Sequence, residues 1–172
     1  MKKKFILCGL IVIVCVIAIF IQCICSVPAG NTIESREILL NNSISKGKGW
    51  SIVKENVIDD YIISAAYSTD GKVTLAVFEP LRNGKYRFMR STNRDNDDIV
   101  IGRAIINGNW YDLIWFNGAQ TEYAEITYTI NGQLQDTLRY NTIDMDIICH
   151  KNFSKNYSMS VVYFDSNGNK YE

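Results

Sequence analysis

Dipeptides of Asn or Asp followed by Gly recur between short apolar runs in the C-terminal two thirds of the chain. Asn and Gly tolerate the positive φ angles of type I′ turns, whose twist matches that of paired antiparallel strands. The dipeptides are Asp70-Gly71, Asn83-Gly84, Asn107-Gly108, Asn117-Gly118, Asn131-Gly132 and Asn167-Gly168. They predict an antiparallel meander in which each strand returns beside the last.

Apolar residues alternate with polar ones in the segments between these turns, as in half-buried strands. The sets on one face are Tyr61, Ile63, Ala65, Tyr67; Val73, Leu75, Val77; Ile99, Ile101, Ile105; Ala124, Ile126, Tyr128, Ile130; and Tyr157, Met159, Val161, Tyr163. The segment Tyr111–Phe116 is apolar on both faces apart from Asp112, which predicts a central strand. About nine or ten strands are expected in an all-β domain, and that number favours a β-sandwich or partly open barrel.

An uncharged apolar stretch, Phe5–Cys25, follows Lys2, Lys3 and Lys4 near the N-terminus. About 20 apolar residues in a helix cross a bilayer, and a positive flank tends to remain in the cytoplasm. Residues 1–27 are therefore expected to form a single-pass anchor in a bacterial cell membrane, with the C-terminal domain outside. The alternative is secretion after cleavage near Ala29, although a signal peptide normally has a shorter apolar core.

The segment 28–49 is expected to join this anchor to the β-rich domain, residues 50–172. Asn31 and Glu34 have the spacing of a capping box, which predicts a short juxtamembrane helix from Thr32 to about Leu40. Asn, Ser, Lys and Gly dominate residues 41–49, a composition typical of a flexible tether.

The charge of the exported part argues against nucleic acid as a partner. Three of the 18 Lys and Arg residues precede the apolar stretch, which leaves 15 basic and 18 acidic residues and a net charge of −3. Four of the five cysteines lie in the apolar stretch, so the exported domain has only Cys149 and no internal disulfide. Cys23 and Cys25 could cross-link two chains near the outer membrane face.

A basic strip runs through the residues after Leu81, with no acidic residue between Leu81 and Asn93. Its cations are Arg82, Lys85, Arg87, Arg90 and Arg94. Such a strip can bind an anionic envelope polymer or lipid headgroups, and we treat the first four as a candidate binding site. The alternative is an edge strand whose charges prevent edge-to-edge pairing.

A second candidate site combines carboxylates with aromatic residues. Asp112, Glu122 and Glu125 lie near Trp110 and Tyr123 in the sequence. A glycosidase requires two carboxylates at a defined separation beside its sugar-binding surface. The alternative is structural: the Trp side chains fill the core, and Asp112 accepts a hydrogen bond at a strand end.

His150 is the only histidine, which excludes multi-histidine metal sites and leaves it at best a lone ligand or base. Its neighbour Cys149 should point to the opposite face of a strand, so the two do not form a thiol–imidazole pair. The acidic turns do not match the spacing of an EF-hand loop. No metal, cofactor or catalytic residue is predicted.

These patterns favour a membrane-anchored extracytoplasmic binding or interaction module over an enzyme. Its partner would be the anionic envelope polymer or another envelope protein. Two alternatives are a cell-wall glycan-acting enzyme that uses the carboxylates, and an inhibitor or immunity-type protein at the membrane surface.

Overall fold

The computed structural model describes residues 29–82, 84–95, 99–117, 122–141, 146–152 and 156–171. They form one helix, α1 (Ile33–Ser43), and eleven strands. The strands are β1 (Ser51–Ile58), β2 (Tyr61–Tyr67), β3 (Lys72–Pro80), β4 (Tyr86–Asp95), β5 (Ile99–Ile106), β6 (Asn109–Phe116), β7 (Tyr123–Ile130), β8 (Gln133–Asn141), β9 (Ile147–Asn152), β10 (Ser158–Phe164) and β11 (Lys170–Tyr171).

Within these ranges no helix is long and apolar enough to cross a membrane. The predicted anchor Phe5–Cys25 lies outside the described residues, as do Cys23 and Cys25.

The strands form three antiparallel sheets. Sheet 1 has the order β1-β2-β3-β4, sheet 2 the order β5-β6-β9, and sheet 3 the order β11-β10-β7-β8. The predicted antiparallel β class is confirmed. None of the three sheets closes into a barrel over the described strands, so the sandwich-like alternative describes the fold better.

The sheets stack as layers because the central sheet is apolar on both faces. One core cluster joins Val73, Leu75 and Val77 of sheet 1 to Leu113 and Trp115 of sheet 2. A second cluster lies on the other face of sheet 2, where Ile114 and Phe116 pack against Ile126 of sheet 3. The strand β6 supplies both clusters, as expected for a central strand with apolar residues on both faces.

Several hairpins follow the predicted turn chemistry. Asn107 and Asn131 have φ angles of 47° and 52° and are each followed by a Gly with positive φ. These two-residue loops connect β5 to β6 and β7 to β8, and the residues that flank them pair directly, Ile106 with Asn109 and Ile130 with Gln133. A third tight turn, Asp59-Asp60, also has positive φ at both residues and connects β1 to β2. The sequence pattern had not identified it because it contains no Gly.

The predicted continuous meander is wrong. Neighbouring strands pair in sequence from β1 to β4, but β6 pairs with β9 and β7 pairs with β10. The hairpin predicted at Asn117-Gly118 does not form, because β6 and β7 belong to different sheets, and Gly118 itself lies outside the described residues. Turn chemistry encodes local reversals, whereas the burial of both faces of sheet 2 requires strands that change sheets.

The predicted face of β5 is also only partly correct. Ile99 and Ile101 pack against the core between sheets 2 and 3, but Ile105 is exposed. The other face, with Val100, Ala104 and Ile106 in the core between sheets 1 and 2, is the more deeply buried one.

The segment before the strands packs on the outer face of sheet 1. Leu40 and Ile44 join Trp50, Ile62 and Phe78 in a third buried cluster. The loop of residues 45–49 is also held in place, since the Lys48 carbonyl accepts a hydrogen bond from the Thr69 amide at 2.8 Å. The segment predicted to be a flexible tether, residues 41–49, is therefore held against the strands.

The helix α1 begins differently from the prediction. Its N-cap is Thr32, whose hydroxyl accepts a hydrogen bond from the Ser35 amide, while the Ser35 hydroxyl accepts one from the Thr32 amide. This capping box replaces the predicted Asn31–Glu34 pair, and both pairs have the same spacing. The buried side of the helix contains Arg36 and Leu40, whereas Ile33 is exposed.

Candidate functional site

A row of three polar residues crosses sheet 2 on the face turned toward sheet 3. Arg103 of β5 pairs with Asp112 of β6, which in turn pairs with His150 of β9. Directly paired residues share a face and are close enough to interact. The sequence pattern identified Asp112 and His150 separately, and it missed Arg103.

Asp112 is the buried member of this row, with only 2% of its surface exposed. Its carboxylate accepts hydrogen bonds from the Tyr157 hydroxyl and, at 2.8 Å, from the Asn152 side-chain amide. The Arg103 Nε atom lies 3.4 Å from the same carboxylate. A buried carboxylate is stable only when it is paired and hydrogen-bonded, and these three groups satisfy Asp112.

Tyr157 connects the carboxylate to the cation. Its ring lies under the Arg103 guanidinium, and the distance from the guanidinium carbon to the ring centroid is 4.5 Å. Burial raises the pKa of Tyr157, and its hydrogen bond to Asp112 raises that pKa further, whereas the charge of Arg103 lowers it. The hydroxyl therefore remains protonated at neutral pH and acts as a hydrogen-bond donor to Asp112.

An open groove of about 390 Å³ lies beside this cluster, between β4, β5 and β10. The residues that line it are Arg90, Thr92, Ile101, Gly102, Arg103, Asp112, Tyr157 and Met159. A Cβ atom at Gly102 would lie 2.8 Å from the Thr92 hydroxyl oxygen, so any larger residue there would force Thr92 to shift. We call this cavity the Arg103 groove.

A smaller cavity of about 160 Å³ lies on the other side of Tyr157, lined among others by Tyr128, Asp136 and His150. The rings of Tyr128 and His150 stack with a centroid distance of 4.4 Å. The Tyr128 hydroxyl is buried without a hydrogen-bond partner in the described structure. Burial raises the pKa of Tyr128, and the nearby charge of Asp112 adds to this effect.

The other carboxylates of the predicted glycan site do not converge on Asp112. Glu125 alternates with the buried Ile126 and therefore lies on the outer face of sheet 3, where it pairs with Arg139. The Glu122 amide donates a hydrogen bond to the Phe164 carbonyl at the end of β10. Phe164 is seven residues from Tyr157, and seven residues of a strand span about 23 Å. Asp112 is thus the only one of the three that lines the Arg103 groove.

The two aromatic residues of that predicted site are also separated. Trp110 is half-buried on β6, with its ring centroid 6.0 Å from the Arg103 guanidinium. Tyr123 lies on sheet 3, where its ring stacks on Phe164 at 4.6 Å and under the Arg139 guanidinium at 3.5 Å. Trp115, by contrast, is a core residue.

The basic strip divides into two parts because β4 contains a bulge. Arg87 pairs with Glu79 and Arg90 pairs with Val77, with Met89 as the additional residue between them. Arg90 thereby faces the Arg103 groove. Arg82, Lys85 and Arg87 remain exposed at the other end, and we call them the hairpin cations.

The strand β4 is the edge strand of sheet 1, as the alternative reading of the basic strip required. Its edge is partly covered by the chain itself, since the Tyr86 amide donates a hydrogen bond to the Ala29 carbonyl at 2.8 Å. Gly30 then has a φ angle of 65° and lies against the Tyr86 backbone, where a Cβ atom would be 2.5 Å from the carbonyl oxygen. The segment that follows the apolar stretch therefore enters the domain between Lys85 and Arg87.

Cys149 and His150 face opposite sides of β9. Cys149 contacts the core between sheets 1 and 2, and His150 stacks on Tyr128 of sheet 3. Burial raises the pKa of Cys149 to about 12. No group of three or more His, Cys, Asp or Glu side chains is placed to hold a metal ion in the described part of the chain.

Comparisons with protein-family models, curated proteins and solved structures find no match for this chain.

Proposed function

We propose that the protein is a membrane-tethered extracytoplasmic interaction module whose hairpin cations contact anionic lipid headgroups. The observation that supports this most directly is the hydrogen bond between Ala29 and Tyr86, because it places the entry of the chain beside these cations.

The reach of the connecting chain limits how far the cations can be from the bilayer. Ala29 follows Cys25, the last residue of the apolar stretch, by four residues. Four residues span at most about 14 Å in any conformation. If the apolar stretch spans the membrane, Ala29 lies within that distance of its surface, and Tyr86 with its neighbours Lys85 and Arg87 lies one hydrogen bond beyond Ala29.

The chemistry of this end of the domain suits a lipid surface. Arg82, Lys85 and Arg87 are exposed, with Arg87 in an ion pair with Glu79, and Leu81 between the strands is 42% exposed. Basic residues near an anionic bilayer contribute about 1 kcal/mol each, and exposed apolar residues insert between headgroups. The exported chain as a whole has a net charge of −3, which would otherwise repel such a surface.

Lysine acetylation followed by mass spectrometry tests this placement with the full-length chain in lipid nanodiscs. Lys85 should react more slowly in discs with anionic lipid than in neutral discs, and the difference should disappear at about 1 M salt, where screening acts over about 3 Å. Lys151, exposed on β9, is the internal control and should react equally in both. Equal rates for Lys85 in both discs would overturn the proposed headgroup contact.

A further inference from the structure

The Arg103 groove contains two arginines that the contact with lipid does not use. We propose that this groove is a binding site for a small organic ligand that carries a singly charged oxyanion, either a carboxylate or a phosphodiester. This site is separate from the hairpin cations and does not depend on the proposed membrane contact.

Arg103 is positioned before any ligand arrives. Its guanidinium is held between the Tyr157 ring at 4.5 Å and the Trp110 ring at 6.0 Å, and its Nε atom faces Asp112. The side chain is nevertheless 42% exposed. The Tyr157 hydroxyl also interacts with the guanidinium, whose exposed side lines the Arg103 groove and can be reached there by a ligand. A preorganised guanidinium loses little conformational entropy when it binds a planar oxyanion.

Arg90 supplies the second cation of the groove. It is exposed on β4 and has no ion pair with any described residue. The β4 bulge turns it to this side of sheet 1, and the approach of Thr92 to Gly102 brings β4 against β5. An oxyanion between Arg90 and Arg103 would receive charge-assisted hydrogen bonds from both.

The charges indicate which oxyanion fits. Arg90 and Arg103 carry two positive charges, and Asp112 offsets one of them, which leaves a single positive charge for the ligand. Asp112 is already satisfied by Tyr157 and Asn152, so it does not compete strongly for the outer side of Arg103. A carboxylate or a phosphodiester carries one negative charge at neutral pH, whereas a phosphate monoester carries nearly two.

The other groove residues suit the carbon part of such a ligand. Ile101 and Met159 provide apolar surface, and the Thr92 hydroxyl provides a hydrogen-bonding group. A volume of about 390 Å³ is within the range of small-molecule sites and exceeds what an inorganic anion alone would need. The ligand is therefore expected to be an organic acid, a short acidic glycan or a polyol phosphodiester.

Titration calorimetry on the full-length protein in a neutral detergent tests the site with three probes. Trigalacturonate presents carboxylates, glycerophosphoglycerol presents a phosphodiester, and maltotriose is the uncharged control. We expect one of the two anionic probes to bind and maltotriose not to bind. The anionic probe that binds identifies the oxyanion.

Arg90→Gln should weaken this binding about tenfold or more, because a hydrogen bond to a charged group is lost. Arg139→Gln, which removes an exposed arginine from β8 in sheet 3, is the matched control and should leave the affinity unchanged. The proposal is overturned if neither anionic probe binds, if maltotriose binds equally well, or if Arg139→Gln weakens binding as much as Arg90→Gln. Unchanged melting temperatures of both variants would show that neither effect comes from unfolding.

Discussion

Arg36 and Glu55 form a two-point salt bridge that fastens α1 to β1. The Arg36 Nε atom lies 2.9 Å from one Glu55 carboxylate oxygen, and Nη2 lies 2.6 Å from the other. The remaining terminal nitrogen donates to the Gly30 carbonyl at 2.7 Å, and Ser64 donates to Glu55 at 2.6 Å. A single arginine thus holds the helix, the first strand and the entry of the chain beside Tyr86 in one arrangement.

Arg36→Ala should lower the free energy of unfolding by about 3–5 kcal/mol, since removal of one partner leaves a largely buried charge without compensation. The side chains of Arg36 and Glu55 are only 6% and 19% exposed. Chemical denaturation of the full-length protein in detergent measures the change.

The double variant Arg36→Leu with Glu55→Leu is the control for this prediction. It should be less destabilised than Arg36→Ala, because the uncompensated carboxylate is also removed. If the double variant has as low a free energy of unfolding as Arg36→Ala, then packing, rather than the charge pair, holds α1 against β1.

Trp115→Ala should lower the free energy of unfolding by about 3–5 kcal/mol through the cavity it creates. Trp115 is 1% exposed and packs edge-to-face against Tyr67 at 5.3 Å between sheets 1 and 2. Val57→Ala, at a residue that is 60% exposed, is the control and should change stability by less than about 0.5 kcal/mol. An equally small effect for Trp115→Ala would contradict the layered core.

Stability should decrease as pH rises above about 9. Burial raises the pKa of Cys149 from 9.0 to about 12, and it raises the pKa of Tyr128 and Tyr157 above 10.0. Above pH 9 the unfolded chain therefore loses protons that the folded protein retains, and the free energy of unfolding falls. Denaturation at pH 8 and pH 10.5 measures this difference.

Tyr128→Phe should make the decrease with pH shallower, because it removes one of these titrating groups while keeping the buried ring. Stability that stays constant or rises between pH 9 and pH 11 would contradict the protonated state assigned to these buried groups.

Removal of two hairpin cations should not cause aggregation. Arg82→Gln with Lys85→Gln leaves the Tyr86 end of the β4 edge covered, because the Ala29 carbonyl accepts from the Tyr86 amide whether or not the charges are present. Sedimentation velocity should show the same size distribution as for Lys151→Gln with Lys170→Gln, which removes two charges from sheets 2 and 3. Self-association confined to the first variant would support the edge-protection reading of the basic strip.

The antiparallel β class could be predicted from the sequence because alternation and turn chemistry are local. One contact of the candidate site could also have been predicted. Counting outward from the Asn107-Gly108 turn pairs Ile106 with Asn109 and therefore Arg103 with Asp112. Asp112 is the only acidic residue of an apolar strand, and this register places it opposite Arg103. That combination in the sequence indicates a polar row across sheet 2.

Other features depend on contacts that no local pattern encodes. Tyr157 reaches Asp112, and His150 reaches Tyr128, through strand pairs that are distant in the sequence. In these pairs β9 lies beside β6, and β10 lies beside β7. The β4 bulge that turns Arg90 into the groove has no glycine or turn signal in the sequence. Glu122 and Glu125 are close to Asp112 in the sequence. They are not close to it in the structure, because the chain passes from sheet 2 to sheet 3 between β6 and β7.

The location of the domain is the central claim, and protease treatment of intact, wall-stripped cells tests it most directly. External protease is expected to digest the domain and to leave a short membrane-associated fragment that contains Phe5–Cys25. The same treatment of lysed cells controls for protease resistance of the folded domain. Full protection in intact cells but digestion after lysis would contradict the extracytoplasmic placement, and release of intact soluble domain into the medium would contradict the tether.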